Sequence, residues 1–269
     1  MNYNLNTYNY DGGAEINPNY SIAGILLAIL IIIGFISSNL KHPFTTKQFI
    51  TNIYLYIILA ILLTALTFVF MEKLKISIDS SSAMYCTWGA AIIAIIIIFA
   101  FALTPRENII STHTYFIIFA IAMGIMVYPE YMVSKENNTL LQTLGTVIVI
   151  VLLLTWITNQ FPPNYFKGWG PILLMGLFGL IVFELLDILF GGDVGLSLRS
   201  KIYAAIGVVL FSGFLMYDTS RINSRAIDVV NCVNSGEASV SVCADYPRES
   251  INVYLDILNL FVDISTLQQ

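Results

Sequence analysis

The chain has 269 residues, of which 57% are apolar and only 11% are charged; its net charge is −5 and its mean hydropathy is +0.80. A soluble domain carries about 25% charged residues, so this chain has too little polar surface to cover a soluble globule. The composition therefore excludes a soluble protein and predicts a polytopic membrane protein. The negative net charge does not indicate a nucleic-acid binder, and we expect the lipid bilayer to be the main partner.

The first twenty residues are polar and contain no Lys or Arg, unlike a cleavable signal peptide. We expect residues 1–21 to form a short disordered tail. A membrane span needs about 20 mostly apolar residues, and lipid favours helices for runs this long. Eight segments meet this requirement: 22–40, 50–71, 84–104, 113–133, 140–160, 170–190, 200–218 and 250–267.

The longest polar stretch, segment 219–249, separates the last two spans. Its charged residues are typical of a solvated loop, which is what we expect there. The segment also contains Cys232 and Cys243, without the further Cys or His that a metal site requires. We expect either free thiols or an incidental disulfide within the loop.

The predicted orientation depends on Lys and Arg, because cytoplasmic loops carry an excess of them. One side of an eight-span protein would carry seven: Lys41, Lys47, Arg106, Lys167, Arg221, Arg225 and Arg248. The other side would carry five: Lys73, Lys75, Lys135, Arg199 and Lys201. We therefore expect the N-terminal tail outside or in a lumen, and segment 219–249 in the cytoplasm.

The last span carries a polar stripe along one helical face. Its members follow the spacing i, i+4, i+7 and i+11: Asn252, Asp256, Asn259 and Asp263. A carboxylate at the bilayer centre costs about 2.5–3.5 kcal/mol on insertion scales. We therefore expect the other helices to enclose this one, with the stripe facing a cavity. The alternative is an interfacial helix with Asp263 among the lipid headgroups.

Two earlier spans also contain acidic residues. Asp218 ends the seventh span and is followed by Arg221, so a surface ion pair is its simplest interpretation. Glu184 lies within the sixth span and is a candidate for a further cavity-lining carboxylate. Gly207 shares a helical face with Asp218 and would permit close approach of another helix.

Two C-terminal motifs resemble signatures of the transmembrane Bax inhibitor motif family, which includes Bax inhibitors and Golgi anti-apoptotic proteins. They are AAIGVVLFSGFLMYDTSRI at 204–222 and VYLDILNLF at 253–261. The resemblance implies a seven-helix transmembrane bundle over 48–269, with the C-terminal helix enclosed. Residues 22–47 would then be an extra N-terminal transmembrane helix and its linker. The abundance of Ile, Asn and Tyr leaves a viral member of the family open.

The resemblance also implies a function. It implies a pH-sensitive calcium leak channel that modulates calcium stores and inhibits cell death, with cell-death regulatory membrane proteins as further partners. Asp218 and Asp256 occupy the positions of the family's two pH-sensing aspartates, and Arg106 and Arg221 are candidates for their partner cation. The membrane would be the endoplasmic reticulum or Golgi for a eukaryotic or viral protein, and the inner membrane for a bacterial one.

The chemistry of the two aspartates supports such a role. Two carboxylates that share an apolar site cannot both ionise at low cost, so the pair would share a proton that ties the last two helices together. Loss of that proton would leave two anions that repel each other and attract a cation. Their oxygen atoms suit Ca²⁺, and Asn252 or Asn259 would add neutral oxygen ligands. Calcium would be the transported ion, bound transiently, and we expect no cofactor.

Other functions remain open for the same residues. A calcium–proton exchanger would use these carboxylates for coupled transport, and a non-conducting scaffold or cell-death regulator would act through protein contacts. An intramembrane aspartyl protease also needs two Asp on neighbouring helices. Its GxGD motif is absent from the predicted spans. We therefore expect that the protein is not an enzyme.

Overall fold

Long apolar runs form the helices of this protein. A computed structural model describes residues 18–40, 43–75, 81–190, 196–236 and 239–269. Within these residues the helices are α1 (Pro18–Ser38), α2 (Thr46–Lys73), α3 (Ser81–Leu103), α4 (Ile109–Glu136), α5 (Leu140–Thr158), α6 (Trp169–Phe190), α7 (Leu196–Ser235), α8 (Val240–Ala244) and α9 (Tyr246–Gln268). All except α8 are long and apolar enough to cross a membrane. The predicted all-α polytopic membrane protein is confirmed.

Helix α1 packs mainly against α2, and most of its described side chains are exposed, as expected for a helix surrounded by lipid. It begins at Pro18, within the predicted tail, while residues 1–17 lie outside the described part of the chain. Hydrogen bonds to α2 hold the residue that follows its C-terminal end. The side-chain amide of Asn39 donates to Asn52 Oδ1 at 2.9 Å, and Gln48 Nε2 donates to the Asn39 carbonyl at 3.3 Å.

Helix α9 is enclosed, as predicted. It packs against α7, α2, α4 and α5, and many of its side chains are buried. Tyr254 is completely buried, and its hydroxyl lies 2.6 Å from the Thr64 hydroxyl of α2. This bond lets a polar side chain sit in the centre of the bundle at little cost.

The prediction of a solvated loop at 219–249 is wrong for most of that segment. Helix α7 has 40 residues and is about 60 Å long, so it continues well past the hydrocarbon core of a bilayer. Its extension buries four apolar side chains with helical spacing: Ile222, Ala226, Val229 and Val233. The charged residues among them occupy other faces. Composition suggested a loop, whereas the periodicity is that of an amphipathic helix.

The rest of the segment turns the chain back into α9. Cys232 at the end of α7 forms a disulfide with Cys243 in α8, with a Cα–Cα distance of 6.0 Å. Of the two expectations, free thiols or a disulfide, the structure shows the disulfide. Asp245 then has φ of 39°, in the left-handed region that Asp tolerates better than most residues, and α9 begins immediately after it.

Polar contacts between helices define two ends of the bundle. At one end, which we call the mouth, Asn223 of α7 donates to Asn159 after α5 at 2.8 Å. At the other, the far end, Lys135 of α4 pairs with Glu72 of α2 at 2.7 Å. The described members of the larger predicted set of basic residues lie towards the mouth, whereas Lys41 lies outside the described residues. That the mouth faces the cytoplasm remains a prediction.

Candidate functional site

The structure brings Asp218 and Asp256 together. Helices α7 and α9 pack along much of their length, and the two side chains face each other across this contact. Asp218 is 4% exposed and Asp256 is 5% exposed. Their carboxyl groups lie within hydrogen-bonding range of each other. The Oδ2 atom of Asp256 is buried and receives no hydrogen bond from the described residues.

One cation and one amide accompany this pair. Arg221 lies one turn after Asp218 on α7, and its Nε is 3.4 Å from Asp218 Oδ1. The Asn252 side chain donates to the same oxygen at 3.3 Å; with its amide turned the other way, its oxygen would accept from Arg221 at 3.1 Å. One arginine therefore faces two carboxyl groups. Among the described residues, the second carboxyl group has no positive charge of its own, which favours a bound proton or a passing cation.

The pair lines a cavity of about 580 Å³ between α6, α7 and α9. Three polar residues of α9 line it at successive turns: Asn252, Asp256 and Asn259. From α7 come Phe211, Phe214, Tyr217, Asp218 and Arg221, and from α6 come Gly170, Pro171, Leu174 and Leu177. The cavity is thus polar on its α9 side and apolar on its α6 side. The predicted inward-facing stripe accounts for the polar side.

Two other predicted cavity residues lie elsewhere. Asp263 is not among the residues that line this cavity; its carboxylate packs directly against the backbone of Gly207 on α7, where a methyl group would overlap it. Glu184 is exposed on α6 and does not line the cavity either. The negative charges of Glu184 on α6 and Glu130 on α4 act on Asp263. Asp263 is the residue of the stripe at the far end of the bundle.

Sequence reasoning missed that the stripe continues towards the mouth. Glu249 is three residues before Asn252 and Asp245 is four before Glu249, so the same spacing extends the stripe by two acids. Both are buried, at 8% and 3% exposure. The signal was present in the sequence, but both residues had been assigned to the predicted loop. The polar stripe, hereafter residues 245–263 on this face, therefore spans most of α9.

Arginines compensate these two additional acids. Glu249 Oε1 is 3.3 Å from Arg225 Nε and 3.6 Å from an Arg106 terminal nitrogen, and Asp245 is 3.3 Å from Arg248. Arg106, a candidate partner of the aspartate pair, is thus bound to Glu249 instead. Arg221 is the candidate that contacts Asp218.

Comparison with known proteins identifies the family to which the chain belongs. Residues 46–268 match the family model described as "Inhibitor of apoptosis-promoting Bax1". The chain belongs to the Bax inhibitor family. The match begins at the first residue of α2, so α1 lies outside it. The predicted resemblance is confirmed.

Relatives that match this Bax inhibitor family chain over most of their length are found in plants, animals and bacteria. It is 24% identical over 233 residues to Protein LIFEGUARD 4 of Arabidopsis thaliana, covering 85% of this chain and 87% of the relative. It is 25% identical over 226 residues to Protein lifeguard 4 of Mus musculus, covering 80% and 82%. An uncharacterized membrane protein of Streptococcus pyogenes serotype M3 is 22% identical over 223 residues, covering 81% and 90%.

The cavity of this Bax inhibitor family chain is lined by oxygen donors on α7 and α9. Among the described residues, no group of three or more His, Cys, Asp and Glu side chains could hold a metal ion. The cavity offers two carboxylates and two amide oxygens, all of them hard ligands compatible with Ca²⁺. With one proton, the same carboxylates can bind each other instead.

Proposed function

We propose that this protein is a pH-sensitive calcium leak channel of an internal membrane, and that Asp218 and Asp256 form its proton-controlled gate. The observation that carries the proposal is the contact of two buried carboxyl groups in one cavity beside one arginine. Membership of a family named for inhibiting Bax1 supports a role in limiting cell death.

In the closed state, one proton lies between the two carboxyl groups. Asp218 remains neutralised by Arg221, and the protonated Asp256 donates to it. The hydrogen bond joins α7 to α9 and holds the cavity at its resting width. Glu249 stands two turns nearer the mouth than Asp256 on α9, where Arg225 and Arg106 compensate it, so the aspartate pair is the titrating unit of this region.

Loss of the proton at higher pH opens the gate. Two carboxylates in contact repel each other in a site of low dielectric constant, and one arginine cannot neutralise both. Separation of α7 from α9 would widen the cavity. Ca²⁺ would then bind Asp218 and Asp256 in passing, with Asn252 and Asn259 replacing part of its water shell.

The test is calcium flux into proteoliposomes as a function of pH. Wild-type protein should conduct more as pH rises. Asp256→Asn should remove most of the pH dependence, and Asp218→Asn should do the same while also freeing Arg221. Asp228→Asn is the matched control, because this aspartate also lies on α7 but its side chain is 69% exposed. Unchanged flux and pH response in both site variants would refute the gate.

A calcium–proton exchanger is the second candidate. The observation that favours it is the unpaired Oδ2 of Asp256, which can hold either a proton or a calcium ion but not both at once. Flux measured with the proton gradient clamped to zero distinguishes the two functions. A leak channel continues to conduct, whereas an exchanger stops. The absence of flux under every condition would favour a non-conducting scaffold.

A further inference from the structure

A second, smaller cavity of about 150 Å³ lies beside the first, between α7 and the connection from α5 to α6. It is lined by Asn164, Lys167, Tyr217, Ser220, Arg221 and Ser224. The lining thus contains two cations, three hydroxyl groups and one amide, and no carboxylate. We call this cavity the basic pocket. Its chemistry is that of an anion site, because charged donors and hydroxyl donors converge on one small volume.

Specific bonds hold the basic pocket in shape. Ser224 Oγ on α7 donates to Asn164 Oδ1 in the connection at 2.8 Å, and Asn223 Nδ2 donates to Asn159 Oδ1 at the same distance. Asn164 has φ of 72°, in the left-handed region that Asn tolerates. The connection that carries Lys167 is therefore fastened to α7 at two points rather than hanging free.

Aromatic rings beside the basic pocket favour a position at the surface of the membrane. Phe161 and Tyr165 stack at 4.6 Å between ring centroids, and Phe166 contacts Trp169 edge to face at 4.9 Å. Clusters of Trp and Tyr between two spans lie at headgroup depth. The mouth also carries the larger set of basic residues, and the cytoplasmic leaflet, which the mouth is predicted to face, is rich in anionic lipids.

We propose that the basic pocket binds a phosphate group, such as that of an anionic lipid headgroup. Lys167 is exposed, and within the described residues its ammonium group has neither an ion pair nor a hydrogen bond, so its charge is available. Arg221 offers the fork of donors that matches phosphate oxygens; Asp218 lies beside its Nε, and the Asn252 amide lies beside its terminal nitrogens. Tyr217, Ser220 and Ser224 supply hydroxyl groups around them.

Phosphate binding would also act on the aspartate pair, a consequence that rests on the proposed function. Tyr217 and Arg221 line both cavities and form the partition between them. Gly170 of α6 permits this arrangement, since a methyl group there would lie 2.9 Å from the Tyr217 hydroxyl. A phosphate that attracts the guanidinium would weaken its contact with Asp218, and so anionic lipid would change the pH at which the gate opens.

Binding is tested on the purified, delipidated full-length protein by isothermal titration with three probes. These are a short-chain phosphatidic acid, a short-chain phosphatidylcholine and inorganic phosphate. Wild-type protein should bind phosphatidic acid, and Lys167→Gln should weaken that binding about ten-fold, as expected for the loss of one charge-assisted contact. Lys167→Arg should retain most of it. Lys75→Gln, an exposed lysine at the far end, is the matched control and should leave binding unchanged.

Each outcome decides a separate question. Equal affinity for phosphatidic acid and inorganic phosphate would support the site and identify soluble phosphate as the ligand, whereas preference for phosphatidic acid identifies lipid. Equal binding by wild-type, Lys167→Gln and Lys75→Gln proteins would overturn the basic pocket. Binding without any calcium flux would leave the pocket standing and refute the channel. Flux that is present but independent of anionic lipid would refute only the coupling.

Discussion

The two halves of the polar stripe on α9 differ in how their charges are compensated. Towards the mouth, Asp245 and Glu249 each contact arginine, and Asp218 opposite the stripe contacts another. At the far end, Asp263 has no basic residue in contact within the described part of the chain, and it packs against the backbone of Gly207. Residues of one type, repeated at one spacing, therefore occupy two different electrostatic environments.

This difference indicates which acids are structural and which are available for chemistry. A carboxylate that is paired with arginine keeps its charge and fixes the position of its helix. A buried carboxylate without a cation favours a proton. Asp256 stands between these two classes, because Arg221 contacts its neighbour Asp218 instead. That intermediate position is what suits Asp256 to the proposed gate.

The largest effect on stability is expected from a substitution at Gly207, the residue against which the Asp263 carboxylate packs. Gly207→Ala would place a methyl group into the Asp263 carboxylate, and overpacking of this kind costs about 1–3 kcal/mol. We expect a lower melting temperature in detergent. Gly145→Ala is the control, because a methyl group there meets open space. The double variant Gly207→Ala, Asp263→Ala should regain most of the loss, and failure to do so would mean that the close α7–α9 approach is not the cause.

A smaller effect is expected at the compensated mouth. Glu249→Gln keeps the shape of the side chain but removes the anion that Arg225 and Arg106 share, and leaves Arg225 only its exposed partner Asp228. Because both arginines are partly exposed and water screens them, we expect a loss of about 1–2 kcal/mol. Asp228→Asn removes an exposed partner of Arg225 and should change stability by less than about 0.5 kcal/mol. Equal melting temperatures for these two variants would contradict the assignment of Glu249 as the central anion.

The sequence predicts more of the far half than of the mouth. Hydropathy finds all eight spans, and helical spacing finds the stripe from Asn252 to Asp263, because both depend on local pattern alone. Charge density led 219–249 to be assigned as a loop, which removed Glu249 and Asp245 from consideration. The α6 wall of the cavity has no sequence signal of its own, since apolar residues such as Leu174 face lipid and cavity alike. Tertiary packing decides that wall.

Among the acids of the stripe, the smallest effect is expected from Asp263, and it tests the comparison most directly. Asp263 Oδ2 receives no hydrogen bond from the described residues, so Asp263→Asn removes no ion pair and should change stability by less than about 1 kcal/mol in either direction. The measurement is the melting temperature in detergent at neutral pH, beside Glu249→Gln. If Asp263→Asn destabilises the protein as much as Glu249→Gln does, then Asp263 is compensated after all. The two halves of the stripe would then not differ in charge compensation. That result would contradict the assignment of Asp256 as intermediate between a compensated and an uncompensated half.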